Sequence, residues 1–401
     1  MTNELVIVGG ARTPMAEYSG TPGYGKLKGV SAIDLAVHAT KAALTRAGVS
    51  AEAIDHVVIG NVMQTSADAI YGGRHVGLKA GVPQAAGGLT VNRICGSGIQ
   101  SIISAGQMLQ LGESEMAIAG GMENMSQAPH ILRGGRDGLR FGADTKLEDS
   151  LFEALKDPYA GLFMAQTAEK VAARLGITRE EQDAYAFRSH QLGAAAVAEG
   201  RFAEEIEPYT ISSRRGDKVI DTDDHIRPET TIEGLAKLRA AFGKDGTVTA
   251  GNASGIVDGA ASLVVTTADR AKADNLDVWA KIKGWGVSGC DPSEMGLGPV
   301  PSMRQCAERT GVKIGDVDRI EINEAFAAQY LGCEKELGLD RDKVNVNGGA
   351  ISLGHPLGAT GTRLILTLMY ELRRQGLRYG MGSACIGGGQ GVAMLIENPN
   401  A

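Results

Sequence analysis

The sequence contains little that would build a disulfide framework, a metal centre or a membrane segment. Its 401 residues include five cysteines, an odd number without a C-x-x-C spacing, which excludes the patterns of disulfide scaffolds and zinc knuckles. The seven histidines are scattered without a pair at metal-ligand spacing, so we predict no catalytic metal. No apolar run reaches the roughly 18 residues of a membrane span, and the N-terminus lacks a signal or transit pattern. We therefore expect a cytoplasmic protein without membrane association.

An excess of positive charge is also missing. Lys and Arg total 40 against 47 Asp and Glu, a formal charge of −7, which argues against a non-specific nucleic-acid binder. None of the glycine loops has the dinucleotide spacing G-x-G-x-x-G or the P-loop spacing G-x-x-x-x-G-K. Nucleotide-dependent redox chemistry and phosphoryl transfer therefore lose support.

Glycine, by contrast, is abundant, with 56 residues, roughly twice the usual share. Many backbone positions are thus expected to need positive φ or close approach. Strand-like apolar runs alternate with amphipathic helical stretches, which predicts an α/β fold. The predicted strands include 5–8, 56–59, 89–94 and 116–119, and the clearest helices cover 31–47 and 96–111.

The two ends of the chain resemble each other. Residues 48–59 match residues 311–322 at a constant offset of 263 positions, and the glycine-rich turn around Cys95 recurs more loosely around His355. This predicts a duplicated α/β unit, with chance similarity between helix-strand units as the alternative.

The region between the two copies differs in character. Residues 125–249 combine basic loops, one long helical stretch and a polar segment, and such insertions commonly build ligand sites on a rigid scaffold. We predict a first half made of 1–124 and 250–272, an inserted loop domain at 125–249, and a second half at 273–401.

Two residues stand where nucleophilic chemistry could be organised. Cys95 lies between a strand and a glycine-rich helix start, where free N–H groups and the helix dipole favour a thiolate; a buried core cysteine is the alternative. His355 lies in a glycine-rich turn before a helix and is placed like a general base for a thiol. A structural histidine is its alternative.

Further candidates follow in the second copy. Cys385 precedes a triple-glycine loop whose N–H groups suit an oxyanion hole. Asn323 and Glu324 end a strand and begin a helix, so that helix capping is the alternative to a catalytic role. The small-residue loop 246–261 either lets a ligand approach the backbone closely or is a plain tight turn.

In this order and spacing, the segments C-G-S-G, N-E-A-F-A, G-G-A-I-x-L-G-H-P-L-G and G-x-A-C-I-G-G-G-Q-G resemble the thiolases over essentially the whole chain. Segments 140–151 and 289–301 are most similar to the mitochondrial-type 3-ketoacyl-CoA thiolases. The resemblance implies two duplicated α-β-α layered halves with mixed five-stranded sheets, and a loop domain inserted in the first half. It also implies a homo-oligomer, a tetramer built as a dimer of dimers.

The resemblance also implies roles for individual residues. Cys95 matches the acylated nucleophile, His355 its activating base, and Cys385 the acid and base at the α-carbon of acetyl-CoA. Asn323, acting through a water, matches the partner of His355 in a first oxyanion site. The backbone N–H groups of Cys95 and Gly387 match a second.

Contacts to CoA are carried over in the same way. Ser254 matches a position near the pantetheine arm and Arg227 one near the adenine end, and Phe326 belongs to the same set. Phe163 and Met164 stand where biosynthetic acetoacetyl-CoA thiolases carry a His-Met pair. Loss of that histidine leaves a more apolar tunnel, better suited to longer acyl groups.

These residues predict an acyl-CoA:acetyl-CoA C-acyltransferase that cleaves 3-ketoacyl-CoA, with CoA as a substrate and no separate cofactor. Formation of acetoacetyl-CoA is the near alternative, and a non-catalytic lipid carrier or scaffold is the alternative of a different class. A basic cluster has two interpretations, attraction of the CoA phosphates or a solvated face used in assembly. Its members are Arg133, Arg136, Arg140 and Lys146.

Overall fold

The computed structural model describes residues 4–142, 144–214, 216–243 and 245–401, so the first three residues of the predicted first half lie outside it. Over these ranges it contains sixteen strands and twelve α-helices. The strands are β1 (Leu5–Arg12), β2 (Ala16–Glu17), β3 (His56–Gly60), β4 (Gly87–Val91), β5 (Met116–Glu123), β6 (His130–Leu132), β7 (Leu147–Asp149), β8 (Lys156–Asp157), β9 (Leu162–Phe163), β10 (Tyr209–Ile211), β11 (Lys218–Ile220), β12 (Val257–Thr267), β13 (Ala280–Gly289), β14 (Arg319–Ile322), β15 (Tyr379–Ile386) and β16 (Gln390–Glu397). The helices are α1 (Ala32–Ala47), α2 (Gly72–Ala80), α3 (Ser97–Leu111), α4 (Ser150–Ala154), α5 (Met164–Leu175), α6 (Arg179–Ala198), α7 (Ile232–Ala236), α8 (Ala268–Ala273), α9 (Pro299–Thr310), α10 (Ala327–Leu337), α11 (Ala350–Leu353) and α12 (Leu357–Gln375).

Helix α1 illustrates how local sequence produces these elements. The Ser31 hydroxyl accepts the N–H of Asp34 and so caps the first turn, while Gly48 ends the helix at φ 66°, a conformation that glycine adopts without steric cost. Ile33 and Leu35 are buried against the sheet. The predicted helix is therefore confirmed.

The first half forms a mixed sheet in the order β4-β3-β5-β12-β1. Strand β3 runs parallel to both β4 and β5, and β12 runs antiparallel to β5 and β1. The four predicted strands are present, but β4 ends at Val91 instead of residue 94. The reason is local, because Ile94 adopts φ 45° and its N–H bonds to the Asn92 side chain, which takes the chain out of the sheet.

The second half repeats this arrangement. Its strands run in the order β14-β15-β16-β13, with β14 parallel to β15 and the other pairs antiparallel. The place equivalent to β4 is taken by one parallel bridge between Ile320 and Val344, and not by a fifth strand. Helix α9 ends at Gly311 with φ 72°, as α1 does at Gly48. The predicted duplication is confirmed.

The two half-sheets are joined into one. Strands β1 and β13 pair antiparallel over three positions, Leu5 with Ile282, Val6 with Lys281 and Ile7 with Ala280. The halves therefore share a backbone ladder in addition to their side-chain core.

Helices α3 and α12 pack together in the middle of the molecule, against strands of both half-sheets. At their crossing a Cβ on Gly98 would lie 2.4 Å from the Thr362 nitrogen, and one on Gly361 would lie 2.4 Å from the Ile99 nitrogen. These two glycines are again 263 positions apart. Their backbones touch because neither carries a side chain, and this contact brings the first turns of the two helices together.

The region between β5 and β12 contributes short hairpins and helices α4 to α7. It is tied to the first half by buried Arg12, whose guanidinium pairs with Glu205 and Asp223, both at 2.7 Å. Among the helices of the described ranges, none has the length and apolar character that crossing a membrane requires.

Candidate active site

Cys95 lies in the turn between β4 and α3, one residue before Gly96, which caps the helix. The Ser97 hydroxyl accepts the Arg93 N–H at 2.8 Å and donates to the Ile94 carbonyl at 2.7 Å. Together with the positive φ of Ile94, these bonds turn the chain sharply. The Cys95 side chain is buried, with 8% of the residue exposed.

Burial decides the ionisation of this thiol. It raises the pKa of Cys95 to about 12, and the carboxylate of Glu123 acts in the same direction. The backbone N–H groups of Gly387 and of Cys95 itself oppose the shift. The amides favour the thiolate, as the sequence indicates, but desolvation of the charged form outweighs them. A base must remove the proton as the thiol reacts.

His355 is the residue that the sequence predicts as this base. Its backbone N–H donates to the Gly255 carbonyl at 2.8 Å, and its Nδ1 lies 2.6 Å from the Thr360 hydroxyl. That hydroxyl donates to the Pro356 carbonyl at 3.0 Å, so its oxygen accepts the proton carried by Nδ1. Nε2 is thereby left as the lone-pair nitrogen. Burial, aided by Arg363, lowers the pKa of His355 to about 3, which keeps the ring neutral.

Asn323 follows β14 and faces the same imidazole. Its Nδ2 lies 3.3 Å from Nε2 of His355, and its backbone N–H donates to the Ser383 carbonyl at 2.9 Å. Its Oδ1 is buried and has no hydrogen-bond partner within the described part of the chain. A buried oxygen of this kind is a candidate to hold a polar group of a ligand or a water.

Cys385 is the next-to-last residue of β15 and is fully buried. It packs with Met295 and Ala325. Burial raises the pKa of its thiol well above the ordinary value, and the nearby Cys95 adds to that shift. Gly387 follows two residues later with its N–H directed at the Cys95 thiol. The structure thus brings Cys95, Cys385, Gly387, His355 and Asn323 into one site.

Two adjoining cavities open onto these residues. One, of about 220 Å³, reaches His355, and the other, of about 150 Å³, reaches Cys95 and Gly387. They share the side chains of Leu155, Met164 and Leu357. The larger cavity is lined mainly by apolar groups, and its wall contains Met125, Leu151, Leu155, Phe163, Met164, Ala165, Phe242, Ala253, Ser254, Gly255, Ile256, Phe326, His355 and Leu357.

Four of the five predicted CoA contacts line that cavity: Phe163, Met164, Ser254 and Phe326. The Phe163 ring packs against Phe152 and Phe242, with centroids 4.7 and 5.3 Å away. Of these rings, Phe163 and Phe242 line the cavity and make an apolar wall where a histidine would have placed a polar group.

Arg227, the fifth, is not part of the lining. Its guanidinium pairs with Glu17, donates to the Asp224 carbonyl at 2.8 Å and lies 4.8 Å from the centroid of the Tyr24 ring. The side chain is 27% exposed. It therefore stands at the surface near the site and not inside the cavity.

The basic cluster lies at the surface of the inserted region. Arg133 is 71% exposed and its Nε donates to Glu148 at 2.7 Å. Arg136, Arg140 and Lys146 are exposed as well. None of them lines either of the two cavities.

Glu324 neither caps a helix nor faces Cys95. Helix α10 is capped at Phe326 without a side-chain bond. The fully buried Glu324 carboxylate instead accepts hydrogen bonds from Tyr185, Ser189 and Asn345 and from the N–H of Ile351. Both interpretations drawn from the sequence, capping and direct catalysis, are replaced by a structural junction between the second half and α6.

Sequence reasoning missed two residues of the site, Glu123 and Thr360. Glu123 ends β5 and is fully buried, but a glutamate after a strand carries no signal of burial in the sequence. Thr360 follows His355 by five positions on the first turn of α12. That spacing, on a helix that begins directly after the histidine, could have identified it.

Chemically, the site combines a buried thiol, a neutral imidazole whose Nε2 lone pair faces the Asn323 amide, a second buried thiol, and amide donors beside the first. A thiol that is a good nucleophile and leaving group can carry an acyl group, while N–H donors stabilise a developing oxyanion. The arrangement suits acyl transfer between thioesters.

Comparison with known proteins agrees with this chemistry. Residues 5–269 match the family model "Thiolase, N-terminal domain" and residues 276–398 match "Thiolase, C-terminal domain". The chain is 49% identical over 394 residues to the 3-ketoacyl-CoA thiolase, mitochondrial, of Homo sapiens, covering 98% of each chain. It is 44% identical over 397 residues to an acetyl-CoA acetyltransferase of Chromobacterium violaceum, covering 99% of this chain and all of the other. The crystal structure of human mitochondrial 3-ketoacyl-CoA thiolase in complex with CoA superimposes with a TM-score of 0.95 at 48% identity, covering 99% of this chain and 98% of that one.

Proposed function

Because the chain belongs to the thiolase family and is an acyltransferase of that family, we propose that it cleaves 3-ketoacyl-CoA with CoA, giving acetyl-CoA and a shortened acyl-CoA. Membership confirms the family and the thiolase fold expected from the sequence. It also replaces the alternative of a non-catalytic carrier. The subclass, the residue roles and CoA binding remain our proposals.

In the first half-reaction, Nε2 of His355 takes the Cys95 proton as the sulfur attacks the 3-keto carbon of the substrate. The bond between C2 and C3 breaks, and its electron pair stays on C2 of the leaving acetyl-CoA. The Cys385 thiol donates its proton to that carbon and becomes a thiolate. The shortened acyl group remains on Cys95 as a thioester.

In the second half-reaction, the Cys385 thiolate takes the proton of an incoming CoA thiol. The CoA sulfur attacks the acyl carbon, and the Cys95 sulfur leaves and recovers its proton from His355. Each oxyanion requires donors placed in advance. We assign His355 with Asn323 to one oxyanion, and the N–H groups of Cys95 and Gly387 to the other.

The observation that carries the degradative subclass is the aromatic wall at Phe163. Its ring and that of Phe242 line the cavity with apolar surface, and each buried methylene of an acyl chain contributes about 0.8 kcal/mol. Longer 3-ketoacyl chains should therefore be used better than a four-carbon substrate.

Thiolysis kinetics on 3-ketoacyl-CoAs from four to sixteen carbons test this. We expect kcat/KM for eight carbons or more to exceed that for four carbons by about tenfold or more, the equivalent of two buried methylenes. The variant Phe163→His should reduce that ratio several-fold, whereas Phe202→His, a change of a buried ring in another cluster, serves as the control. A wild type that is fastest on the four-carbon substrate would refute the assignment.

Formation of acetoacetyl-CoA is the second candidate, favoured by the 44% identity to an acetyl-CoA acetyltransferase. The chemistry is reversible, so direction depends on relative rates. Condensation of two acetyl-CoA molecules at a rate equal to or above thiolysis of long 3-ketoacyl-CoA would support this candidate instead.

We also propose where CoA binds, how the protein assembles and where it is located. CoA enters the larger cavity with its pantetheine arm along Ser254, and Arg227 meets its adenine end. The protein assembles as a tetramer, a dimer of dimers. A cytoplasmic location stays a prediction, and relatives at 49% identity carry the word mitochondrial in their names.

A further inference from the structure

Buried carboxylates accept backbone hydrogen bonds at both ends of the turn that carries His355. Before the histidine, Oε2 of Glu324 accepts the N–H of Ile351 at 3.1 Å. After it, Oε2 of Glu123 accepts the N–H of Gly358 at 2.9 Å. Both glutamates are fully buried. One comes from the first half of the fold and the other from the second.

Glu123 is surrounded by donors. Its Oε1 accepts from the Met63 N–H and from Nδ2 of Asn61, both at 3.0 Å, and its Oε2 also accepts from the Val62 N–H at 3.2 Å. With Gly358, four N–H groups meet two oxygens. A carboxylate satisfies all four, whereas an amide would direct its own NH₂ group against a donor.

Glu324 has a similar set of partners. The hydroxyls of Tyr185 and Ser189 donate to it at 2.7 Å each, and Nδ2 of Asn345 donates at 2.9 Å. These donors come from α6 and from the segment between α10 and α11. Glu324 therefore fixes the near end of the turn to the second half and to the inserted region.

The two carboxylates differ in the ionisable groups that lie near them. Glu123 raises the pKa of the Cys95 thiol. Burial raises the pKa of Glu123 itself to about 7, and the nearby Asp258 on β12 acts in the same direction. Cys385 on β15 also faces the thiol, and His355 borders the adjoining cavity. Glu324 faces Tyr185 and Glu321 instead.

We propose that Glu123 and Glu324 are positioning residues for His355, each holding one end of the turn from a different half of the fold. The inference rests on the proposed role of His355 as the base. A shift of the imidazole by even about 1 Å costs on the order of 10²-fold in rate. The carboxylates thus make the reaction depend on the docking of the two halves.

The test compares Glu123→Gln, Glu324→Gln and the control Glu371→Gln. Glu371 is a buried carboxylate that bonds to Arg319 and Asn347. It lies at the far end of α12, the helix that follows the His355 turn, and does not contact that turn. For each variant, rapid-quench acylation by acyl-CoA gives the rate constant for Cys95, steady-state kinetics give KM for CoA, and thermal unfolding measures stability.

We expect both turn variants to acylate Cys95 about 10- to 100-fold more slowly while KM for CoA changes less than threefold. The control should stay within threefold of wild type in both. The pH dependence of Cys95 alkylation by iodoacetamide adds a second readout. Removal of the Glu123 charge favours the thiolate and moves that curve to lower pH, whereas Glu324→Gln leaves it in place.

Glu123→Asp distinguishes the effect of the negative charge from the effect of side-chain length. It also replaces Glu123→Gln if that variant does not fold. It keeps the negative charge but shortens the side chain, so its acylation should be slow while its alkylation curve stays where wild type has it. Acylation by both turn variants at the rate of the control overturns the inference. The proposed function is judged separately, because it fails if wild type shows no thiolysis or if His355→Gln acylates as fast as wild type.

Discussion

Cys95 and His355 both stand at the start of a central helix, one in each half of the chain, but the protein holds them in different ways. The Cys95 turn is fixed by neighbours in sequence, the Ser97 hydroxyl and the Asn92 side chain. The His355 turn is fixed mainly by distant groups, including the Gly255 carbonyl and the two carboxylates described above. The turn of the proposed nucleophile is therefore encoded locally, whereas the turn of the proposed base depends on tertiary packing.

The electrostatics of the two residues follow the same division. Burial raises the pKa of Cys95 and lowers that of His355, so each is held in its neutral form. A neutral thiol beside a neutral imidazole avoids a buried ion pair before the substrate arrives. We therefore expect reactivity at this site to come from placing the thiol and the imidazole together, and not from ionising the thiol in advance.

The largest effect is expected at the locally encoded member. Cys95→Ala removes the atom that carries the acyl group, so thiolysis should fall by about 10⁴-fold or more. Intact mass measurement after incubation with acyl-CoA should show an adduct on wild type and none on the variant. Cys306→Ala, a buried cysteine beside the Gly284 carbonyl, should keep the adduct. An adduct of equal yield on Cys95→Ala would mean that another residue is the nucleophile.

A smaller and selective effect is expected at the second thiol. Cys385→Ala should still form the acyl adduct on Cys95, because the role that we propose for Cys385 is at the α-carbon. Exchange of the acetyl-CoA methyl protons with deuterated solvent should slow about 10²- to 10⁴-fold, as loss of a general base does. Exchange is followed by NMR, with Cys306→Ala again as the control. Normal exchange in Cys385→Ala would mean that His355 removes the methyl protons of acetyl-CoA instead.

The smallest effect is expected at the support of the base. Thr360→Val removes the oxygen that accepts the Nδ1 proton of His355, which frees the ring to change tautomer. Loss of one hydrogen bond of this kind is worth about 1.5 kcal/mol, or roughly tenfold in acylation rate.

The matched control for this prediction is Thr367→Val, a change on the same helix where the hydroxyl donates to Glu205. Its acylation rate should equal that of wild type. If Thr360→Val also acylates normally, the tautomer of His355 is set by something other than this hydroxyl, and the contrast between the two turns weakens.

The sequence predicted what local patterns control. The cap at Ser31, the glycine at 48 and the copy at 311 identified a duplicated helix-strand unit, and the motif around Cys95 located the turn between a strand and a helix. The sequence places the end of β4 three residues too far, because apolar Ile94 follows Asn92 and Arg93 like a further strand residue, whereas its positive φ belongs to a bend.

The rest depends on contacts between distant parts of the chain. Glu123 meets Gly358 across 235 positions, and the crossing of α3 with α12 depends on two glycines that no local pattern pairs. The high pKa of Cys95 also depends on burial by both halves, whereas the sequence offered only the helix start. These features could not be read before the halves were docked.

The position of β12 has a consequence for how the protein is made. This strand lies between β1 and β5 in the sheet, but residues 124–256 separate it from β5 in the chain. On the ribosome, β1, β3, β4 and β5 all emerge well before the strand that joins β1 to β5. The facing edges of β1 and β5 stay unpaired throughout that interval, and unpaired edges are where nascent chains associate wrongly. Translation of the inserted region therefore sets a minimum delay before the first sheet can close.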